Sequence, residues 1–372
     1  MKTRVTKATC PEEVAEAAAE GAEILDGGGL VAFPTETVYG LAACAARASA
    51  MERLRALKSR QDRPFTVHIG CRQQALDYIA DPPATATRVM RKAWPGPLTV
   101  VLPIGGRLAD HAWDASVTEQ ISHEGHIGLR LPDDPVACRM LAAVCDPVVA
   151  PSANPAGEAP PTTAEEVLKT LDGQIELVID AGPTRTGRSS TVVRYGPNGE
   201  FEILREGAIT RRTLELLSQR QILFVCTGNT CRSPMAEGIA RVELAARLAC
   251  LPGDLAPQGW RIVSAGTMSY AGAPATPAAV NAAAELGADI SGHRNQPVTE
   301  QLINSSDLIF CMIGSHVQRG REIAPNATDR VCLLDNAGDI PDPIGGSEHM
   351  YRGTAQQILQ AIRTQLDRIM NV

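Results

Sequence analysis

The stretch Ile222-Leu-Phe-Val-Cys-Thr-Gly-Asn-Thr-Cys-Arg-Ser-Pro234 constrains this chain more than any other. Ile222 to Val225 is an apolar run of strand length, and Ser233-Pro234 opens a helical stretch with proline near its first turn, so the segment reads strand, loop, helix. Five residues separate Cys226 from Arg232, small and polar apart from Cys231. Their successive N–H groups can turn inward as a nest for an oxyanion. Arg232 adds a planar fork of donors suited to a phosphoryl group. A thiol in such a nest, at a helix N-terminus and beside a guanidinium, is in the setting that makes sulfur a nucleophile. Cys226 is the expected nucleophile, and Thr227, Gly228, Asn229, Thr230, Cys231 and Ser233 form the expected phosphate-binding loop. A buried structural cysteine after a strand is the competing reading, and it leaves the Cys-x5-Arg-Ser spacing unexplained.

Further segments join this one: Ser264-Ala-Gly-Thr267, Gly272-Ala-Pro-Ala-Thr-Pro277, Gly292-His-Arg294, Asp307-Leu-Ile309 and Asp342-Pro343. With them, residues 221–372 resemble the low-molecular-weight protein tyrosine phosphatase family, which also includes protein arginine phosphatases and thioredoxin-coupled arsenate reductases. The resemblance implies that Asp342 is the general acid that protonates the leaving group, with Cys226 and Arg232 as its catalytic partners. Thr230 is polar where tyrosine phosphatases usually carry an aliphatic residue, and Ile344-Gly-Gly346 lacks the tyrosines that line a phosphotyrosine slot. Phosphoarginine on a protein is therefore the first expected substrate, and phosphotyrosine the alternative. Arsenate reduction needs two further cysteines, and the candidates, Cys311 and Cys332, stand twenty-one residues apart. Strands at 222–225, 261–264, 308–311 and 331–334 alternate with helical stretches, so this half is expected to be a doubly wound parallel α/β sheet with its active loop at a strand C-terminal end.

A chain of 372 residues suggests two domains, each large enough for its own core. Hydrophobic residues at 44% and charged ones at 21% are ordinary for a globular protein, and the net charge of −7 argues against a general polyanion-binding surface while leaving room for a local basic cleft. Neither half has an excess of basic residues, so direct tRNA binding is not expected. Ten cysteines are scattered without a Cys-x2-Cys pair, which favours reduced thiols and no zinc. His123-Glu-Gly-His126 has its histidines three apart around a glycine, not at the helical spacing of a zinc site. No signal-like or membrane-length apolar run is found, so a cytoplasmic protein with no membrane partner is expected.

In the first half, polar groups collect where strands stop. Residues 10–26 read as a helix ended by Gly27-Gly-Gly29, and Leu30-Val-Ala-Phe33 then delivers Pro34-Thr-Glu-Thr-Val-Tyr-Gly40. A helix from about Ala48 to Leu57 ends in Lys58-Ser-Arg60-Gln-Asp-Arg63 and leads into the strand-like Phe65 to Ile69. Pro147 to Pro151 runs into Ser152-Ala-Asn154, and Glu176 to Asp180 runs into a loop reaching Ser190 before the strand Val192 to Tyr195. Strand-end loops of an α/β sheet form a ligand crevice, and this content of cations, hydroxyls and an amide suits a phosphate-containing ligand.

Residues 22–210 resemble the YrdC-type threonylcarbamoyl-AMP synthase family. The signatures are Pro34-Thr-Glu-Thr-Val-Tyr-Gly-Leu41, Lys58-x-Arg60, Trp94-Pro-Gly-Pro-Leu-Thr99, Gly128-Leu-Arg-Leu-Pro132, Ser152-Ala-Asn154, Ser190-Thr-Val-Val193 and Arg205-x-Gly207-Ala-Ile209. The resemblance implies a twisted α/β sheet domain with a concave ligand site that makes threonylcarbamoyl-AMP and pyrophosphate from L-threonine, bicarbonate and ATP. ATP enters as a substrate with Mg2+, without a tightly bound cofactor, and tRNA-modification transferase proteins consume the product. Lys58, Arg60, Arg63, Ser152, Asn154 and Arg205 would hold ATP, and Thr35, His68, Arg130 and Ser190 would hold threonine. Ser189 stands where the family often has Glu, Arg194 where Asp is common and Arg63 where Lys or Asn is usual. From its strand alone, without the resemblance, His68 reads first as a satisfied core histidine. The expected domains are 1–210 and 221–372, joined by a linker at 211–220 with leucines at 214, 216 and 217. A reading in which one half is a non-catalytic binding module stands beside the bifunctional one.

Overall fold

A computed structural model describes residues 2–59, 64–104 and 113–370 and divides into two compact units, Met1–Leu217 and Ser218–Val372. The first is built on a mixed sheet with eleven strands among the described residues. Across the sheet the order is Arg4–Lys7, Leu177–Asp180, Val31–Phe33, Gly40–Cys44, Val148–Val149, Val67–His68, His126–Arg130, Leu98–Pro103, Thr191–Tyr195 and Phe201–Arg205, with Ser122–His123 paired onto His126–Arg130. Successive residues of the inner strands face opposite cores. Leu30, Ala32 and Val178 pack with the helices Ala48–Lys58, Ala84–Ala93 and Ala164–Leu171, whereas Val31, Phe33, Leu177 and Ile179 pack with Pro11–Asp26 and Pro135–Ala143. Strands covered on both faces read as unbroken apolar runs, which is why Leu30 to Phe33 was legible. Each such large side chain contributes about 1.5–3 kcal/mol by leaving water.

Helix Pro11–Asp26 begins with proline and two first-turn glutamates, Glu12 and Glu13, matching the positive end of its dipole. His123 and His126 pair across a two-residue turn in which Glu124 and Gly125 have φ of 49° and 70°. The pattern that imitates a metal motif is a hairpin. Residues 211–220, read from the sequence as a linker, are not a free connector. They hold the helix Arg211–Ser218, whose Leu214 is fully buried in the first unit's core and whose Leu217 packs against it. The leucine spacing that looked like a short amphipathic connector is the apolar stripe of a docked helix.

In the second unit four parallel strands lie in the order Trp260–Gly266, Arg220–Cys226, Leu308–Cys311, Val331–Leu333. Ile222, Phe224 and Cys226 face a core shared with the helices Arg232–Arg247, Pro277–Ala284 and Glu348–Met370; Leu223 and Val225 face another with Ile303, Val317 and Ala324. The sheet is doubly wound, as the alternating segments imply. Arg220–Cys226 is flanked by the next strand in sequence on one side and the third on the other, so its C-terminal end is the topological switch point where such sheets bind ligands. No helix of the described residues is long and apolar enough to cross a membrane, and all ten cysteines are free.

Candidate functional sites

Cys226 is the last residue of the central strand of the second unit, and Arg232 begins the helix that leaves it. The loop between them turns on Asn229, whose φ of 54° is left-handed, a conformation asparagine tolerates better than most residues. That turn brings the Asn229 N–H to Cys226 Sγ at 3.2 Å. The Asn229 amide donates to Ser233 Oγ at 2.9 Å and to Ser264 Oγ at 2.8 Å, and its Oδ1 accepts from Gln296 N at 2.9 Å. Ser233 Oγ, which accepts from that amide, lies 2.9 Å from Cys226 Sγ and 3.4 Å from the Ala265 carbonyl. Ser264 donates to Glu237 at 2.6 Å, and His293 Nε2 meets the Asn229 carbonyl at 2.9 Å. Three elements thus hold one strained residue in place, and the Asn229 N–H and the Ser233 hydroxyl both meet the sulfur.

Arg232 is buried, its side chain 3% exposed. One terminal nitrogen donates to the Ile340 carbonyl at 3.1 Å; the other donates to Thr227 Oγ1 at 3.5 Å and forms a short charge-assisted bond to Asp342 Oδ2. Asp342 is on the outer side of this pair at 37% exposed, so a phosphoryl group entering the nest meets the arginine behind and the carboxylate at the mouth. Cys231 turns away, its sulfur 3.4 Å from the Tyr351 hydroxyl and 3.5 Å from Thr276 Oγ1. Thr230 and Gly228 are half-buried at the loop. Beside it, Met268, whose N–H donates to the Thr227 carbonyl, and Tyr270 are 80% and 92% exposed, and Ile344 follows the acid at 66%. Sequence reasoning quoted Ser264 and His293 inside family segments but assigned them no role, and it missed His316, which stands in no motif. His316 Nε2 lies 2.9 Å from Thr227 Oγ1. Burial, and next the Arg232 charge, push this imidazole down to about 4.

In the first unit a cavity of about 210 Å3 is lined by Lys58, His68, Arg130, Ser152, Ser190 and Arg205 among others. The helix end at Lys58, the strand ends at His68, Arg130 and Arg205, and the loop residues Ser152 and Ser190 are thus brought together, while Arg60 and Arg63 lie outside the described residues. Lys58 Nζ donates to the carbonyls of Ser152 and Asn154 at 3.0 and 2.6 Å. Asn154 is not in the cavity wall: its amide nitrogen is spent on the Pro155 and Glu158 carbonyls, at 2.9 and 2.7 Å, so it shapes the loop that holds Lys58. Arg205 donates to the Ser190 carbonyl and hydroxyl at 3.0 and 3.2 Å, and Ser190 Oγ meets Thr99 Oγ1 at 3.0 Å. Thr35 sits behind the wall, hydrogen-bonded to Thr37 at 2.8 Å and reached by Arg130 at 3.5 Å. The residue missed from sequence is Glu36. It is 4% exposed, pairs with Arg130 at 3.0 Å, and accepts the Asp133 N–H on its other oxygen. Arg130 Nε is buried without a partner among the described residues. A guanidinium held on one side with a donor left over is preset for a carboxylate.

None of the described residues lining this cavity is a carboxylate; its side-chain oxygens are the hydroxyls of Thr66, Thr99, Ser152, Ser189 and Ser190, so a Mg2+ ion there would be held chiefly by the nucleotide's own phosphates. No cluster of three or more His, Cys, Asp or Glu able to hold a metal occurs among the described residues.

His68 packs edge-on to Phe33, with Nδ1 3.2 Å from the Thr66 carbonyl. Burial first, and then Arg130, push its imidazole down to about 3. Unfolded, a histidine takes up its proton near pH 6.5, so between there and about 3 the unfolded state binds one proton more. The stability is present above pH 6.5 and is lost as pH falls toward 3, at up to about 1.4 kcal/mol per pH unit. Melting curves of the full chain from pH 7 to 5 should show the first unit's transition fall more steeply than in His68→Asn. Parallel slopes would mean that His68 is not the buried neutral group.

Residues 23–207 match the family model described as Telomere recombination (Sua5/YciO/YrdC), and residues 221–371 match Low molecular weight phosphotyrosine protein phosphatase. The threonylcarbamoyl-AMP synthase of Halorhodospira halophila is 33% identical over 52% of this chain and 95% of its own length. The probable low molecular weight protein-tyrosine-phosphatase EpsP of Ralstonia solanacearum is 34% identical over 40% of this chain and 96% of its own length. The chain spans about half the length of other curated relatives it matches, 55% of the threonylcarbamoyl-AMP synthase of Bacillus subtilis and 47% of that of Pyrococcus abyssi. In fold, the crystal structure of P. abyssi Sua5 complexed with L-threonine aligns with 71% of this chain and 92% of its own at a TM-score of 0.50 and 22% identity. The nest around Cys226 and the cation-lined cavity thus sit in segments of distinct descent: the chain belongs to the threonylcarbamoyl-AMP synthase family through residues 23–207 and to the low-molecular-weight protein tyrosine phosphatase family through residues 221–371.

Proposed function

We propose that the chain is a bifunctional enzyme: its first unit synthesises threonylcarbamoyl-AMP from L-threonine, bicarbonate and ATP, and its second hydrolyses phosphoarginine on proteins. The observation that carries the second activity is the convergence of the Asn229 N–H and the Ser233 hydroxyl on Cys226 Sγ in a loop closed by buried Arg232. Cys226 Sγ attacks phosphorus, an S–P bond forms and the P–N bond of phosphoarginine breaks. Asp342, freed from Arg232 as the phosphoryl oxygens take its place, carries the proton released by the Cys226 thiol to the departing nitrogen. Water then attacks the phosphocysteine, Asp342 takes the proton back, and phosphate leaves. Arg232 and the loop amides hold the equatorial oxygens throughout.

In the first unit the threonine carboxylate takes the spare donor of Arg130. The amine and bicarbonate join through a new N–C bond with loss of water, and the resulting carbamate oxygen attacks the α-phosphorus. The α–β phosphoanhydride bond breaks, and Lys58 and Arg205 balance the charge that moves to pyrophosphate. L-Threonine is the ligand named for P. abyssi Sua5, and tRNA-modification transferases are the partners that would consume the product.

A phosphoarginine preference is supported by Thr230, a half-buried hydroxyl in the loop, and by Ile344-Gly345-Gly346 after the acid. Exposed Tyr270 favours a second reading, in which a phosphotyrosine ring lies against it. Arsenate reduction lacks its relay. Cys332 is paired with Phe310 and shares that face of the sheet, whereas Cys311, beside Ile309's core, points to the other.

Purified protein should release pyrophosphate only with threonine and bicarbonate both present, and should favour phosphoarginine over phosphotyrosine and arsenate. Threonine-independent release, or a preference for phosphotyrosine, would reject the corresponding half of the reading. Thr230→Ile should cut phosphoarginine hydrolysis roughly ten- to a hundredfold, because an aliphatic chain strips water from the N–H array without replacing a hydrogen bond worth about 1–3 kcal/mol. Phosphotyrosine should lose less. Equal losses on both substrates would make Thr230 a spacer.

A further inference from the structure

We infer that His316 is a positioning residue of the phosphatase centre: its imidazole Nε2, hydrogen-bonded to the Thr227 hydroxyl, fixes that oxygen as the seat for an Arg232 donor. The inference rests on the phosphatase reading and deepens it. Its starting point is the hydrogen-bond direction. A guanidinium only donates, so where Arg232 reaches Thr227 Oγ1 at 3.5 Å the oxygen is the acceptor. His316 Nε2, at 2.9 Å, is the second group on the same oxygen: it takes the Thr227 hydrogen in one tautomer and donates to the second lone pair in the other, and in both it holds the hydroxyl in place. Nδ1 on the other side of the ring is buried with no partner among the described residues.

A histidine that served only to fill the core would not leave one ring nitrogen unsatisfied and place the other on an active loop; buried polar atoms without partners are costly and call for a functional reason. The same end of the helix Gly314–Ile323 is tied to the acid loop, where the Gly314 N–H donates to Asp339 Oδ1 at 2.8 Å and the Ile340 carbonyl accepts from Arg232 at 3.1 Å. His316 thus stands where three pieces meet: the nucleophile loop, the phosphate-binding arginine and the segment that carries Asp342. Because burial and the Arg232 charge keep the imidazole neutral over the working pH range, it orients the loop without adding a charge that would repel Arg232.

The test is a mutant cycle on the full chain with His316→Leu, His316→Gln, Thr227→Val and the Leu/Val double variant, reading kcat/KM on an aryl phosphate and the affinity for inorganic phosphate as protection of Cys226 from alkylation. His316→Leu and Thr227→Val should each lower both quantities about tenfold, and the double variant should lose no more than either alone. His316→Gln, whose amide retains a hydrogen-bonding group of similar reach, should recover to within about threefold of wild type. Additive losses, an indifferent Thr227→Val or a glutamine variant no better than leucine would overturn the assignment. If the leucine variant does not fold, the glutamine variant paired with Thr227→Val completes the cycle. Absence of any phosphatase turnover in the wild type would instead overturn the phosphatase reading, and the phosphate-protection cycle would still decide the role of His316.

Discussion

Cys226→Ser is expected to abolish phosphatase turnover, by a factor on the order of 10^4 or more, while leaving threonine-dependent pyrophosphate release unchanged. A serine hydroxyl at this place keeps the Asn229 N–H and Ser233 contacts but lacks the soft, ionisable sulfur that attacks phosphorus. A loss of that size corresponds to about 5 kcal/mol of transition-state stabilisation. Phosphate binding should survive, because Arg232 and the loop amides are untouched. The expectation that synthesis is spared rests on location: Lys58, Arg130, Ser190 and Arg205 all lie in the unit Met1–Leu217, which has its own cores. Turnover retained in the serine variant would remove Cys226 from its role, and a parallel loss of synthesis would show that the two activities share more than a chain.

Arg130→Ala should both destabilise the first unit and lower threonine-dependent synthesis by on the order of a hundredfold. Arg130 and Glu36 form a pair whose side chains are 7% and 4% exposed. Removing the cation leaves the Glu36 carboxylate buried with one oxygen on the Asp133 N–H and the other without its charge partner, which costs about 3–5 kcal/mol. Adding Glu36→Gln should therefore restore a large part of the stability, because the amide is neutral, and none of the activity, because the carboxylate-binding donor is still missing. Thermal melts and pyrophosphate release separate the two effects. An Arg130→Ala protein that makes threonylcarbamoyl-AMP normally would end the assignment, and a double variant no more stable than the single one would show that Glu36 is not the charge left stranded.

What the sequence determined about this protein is what contiguous residues can encode. The nest from Cys226 to Ser233 is one strand end, one left-handed asparagine and one helix start, so spacing and side-chain type were enough to read it. Strands with cores on both faces, such as Leu30 to Phe33 and Ile222 to Val225, declared themselves as apolar runs for the same local reason. The partners that complete each site come from far along the chain. Asp342 lies 110 residues from Arg232, His316 is 89 from Thr227, Arg130 is 94 from Glu36 and Lys58 is 94 from Ser152. No local pattern states these pairings, because they follow from strand order and register, which bring loop ends together only after the sheets form. Resemblance supplied Asp342, Lys58 and Arg130; it did not supply Glu36, whose carboxylate is visible as a partner only once Arg130 is buried beside it, or His316, whose role depends on which ring nitrogen finds a hydroxyl. Tertiary packing likewise decided the fate of 211–220: the charged, leucine-spaced segment could have been a tether, and the burial of Leu214 in the first unit made it part of a core.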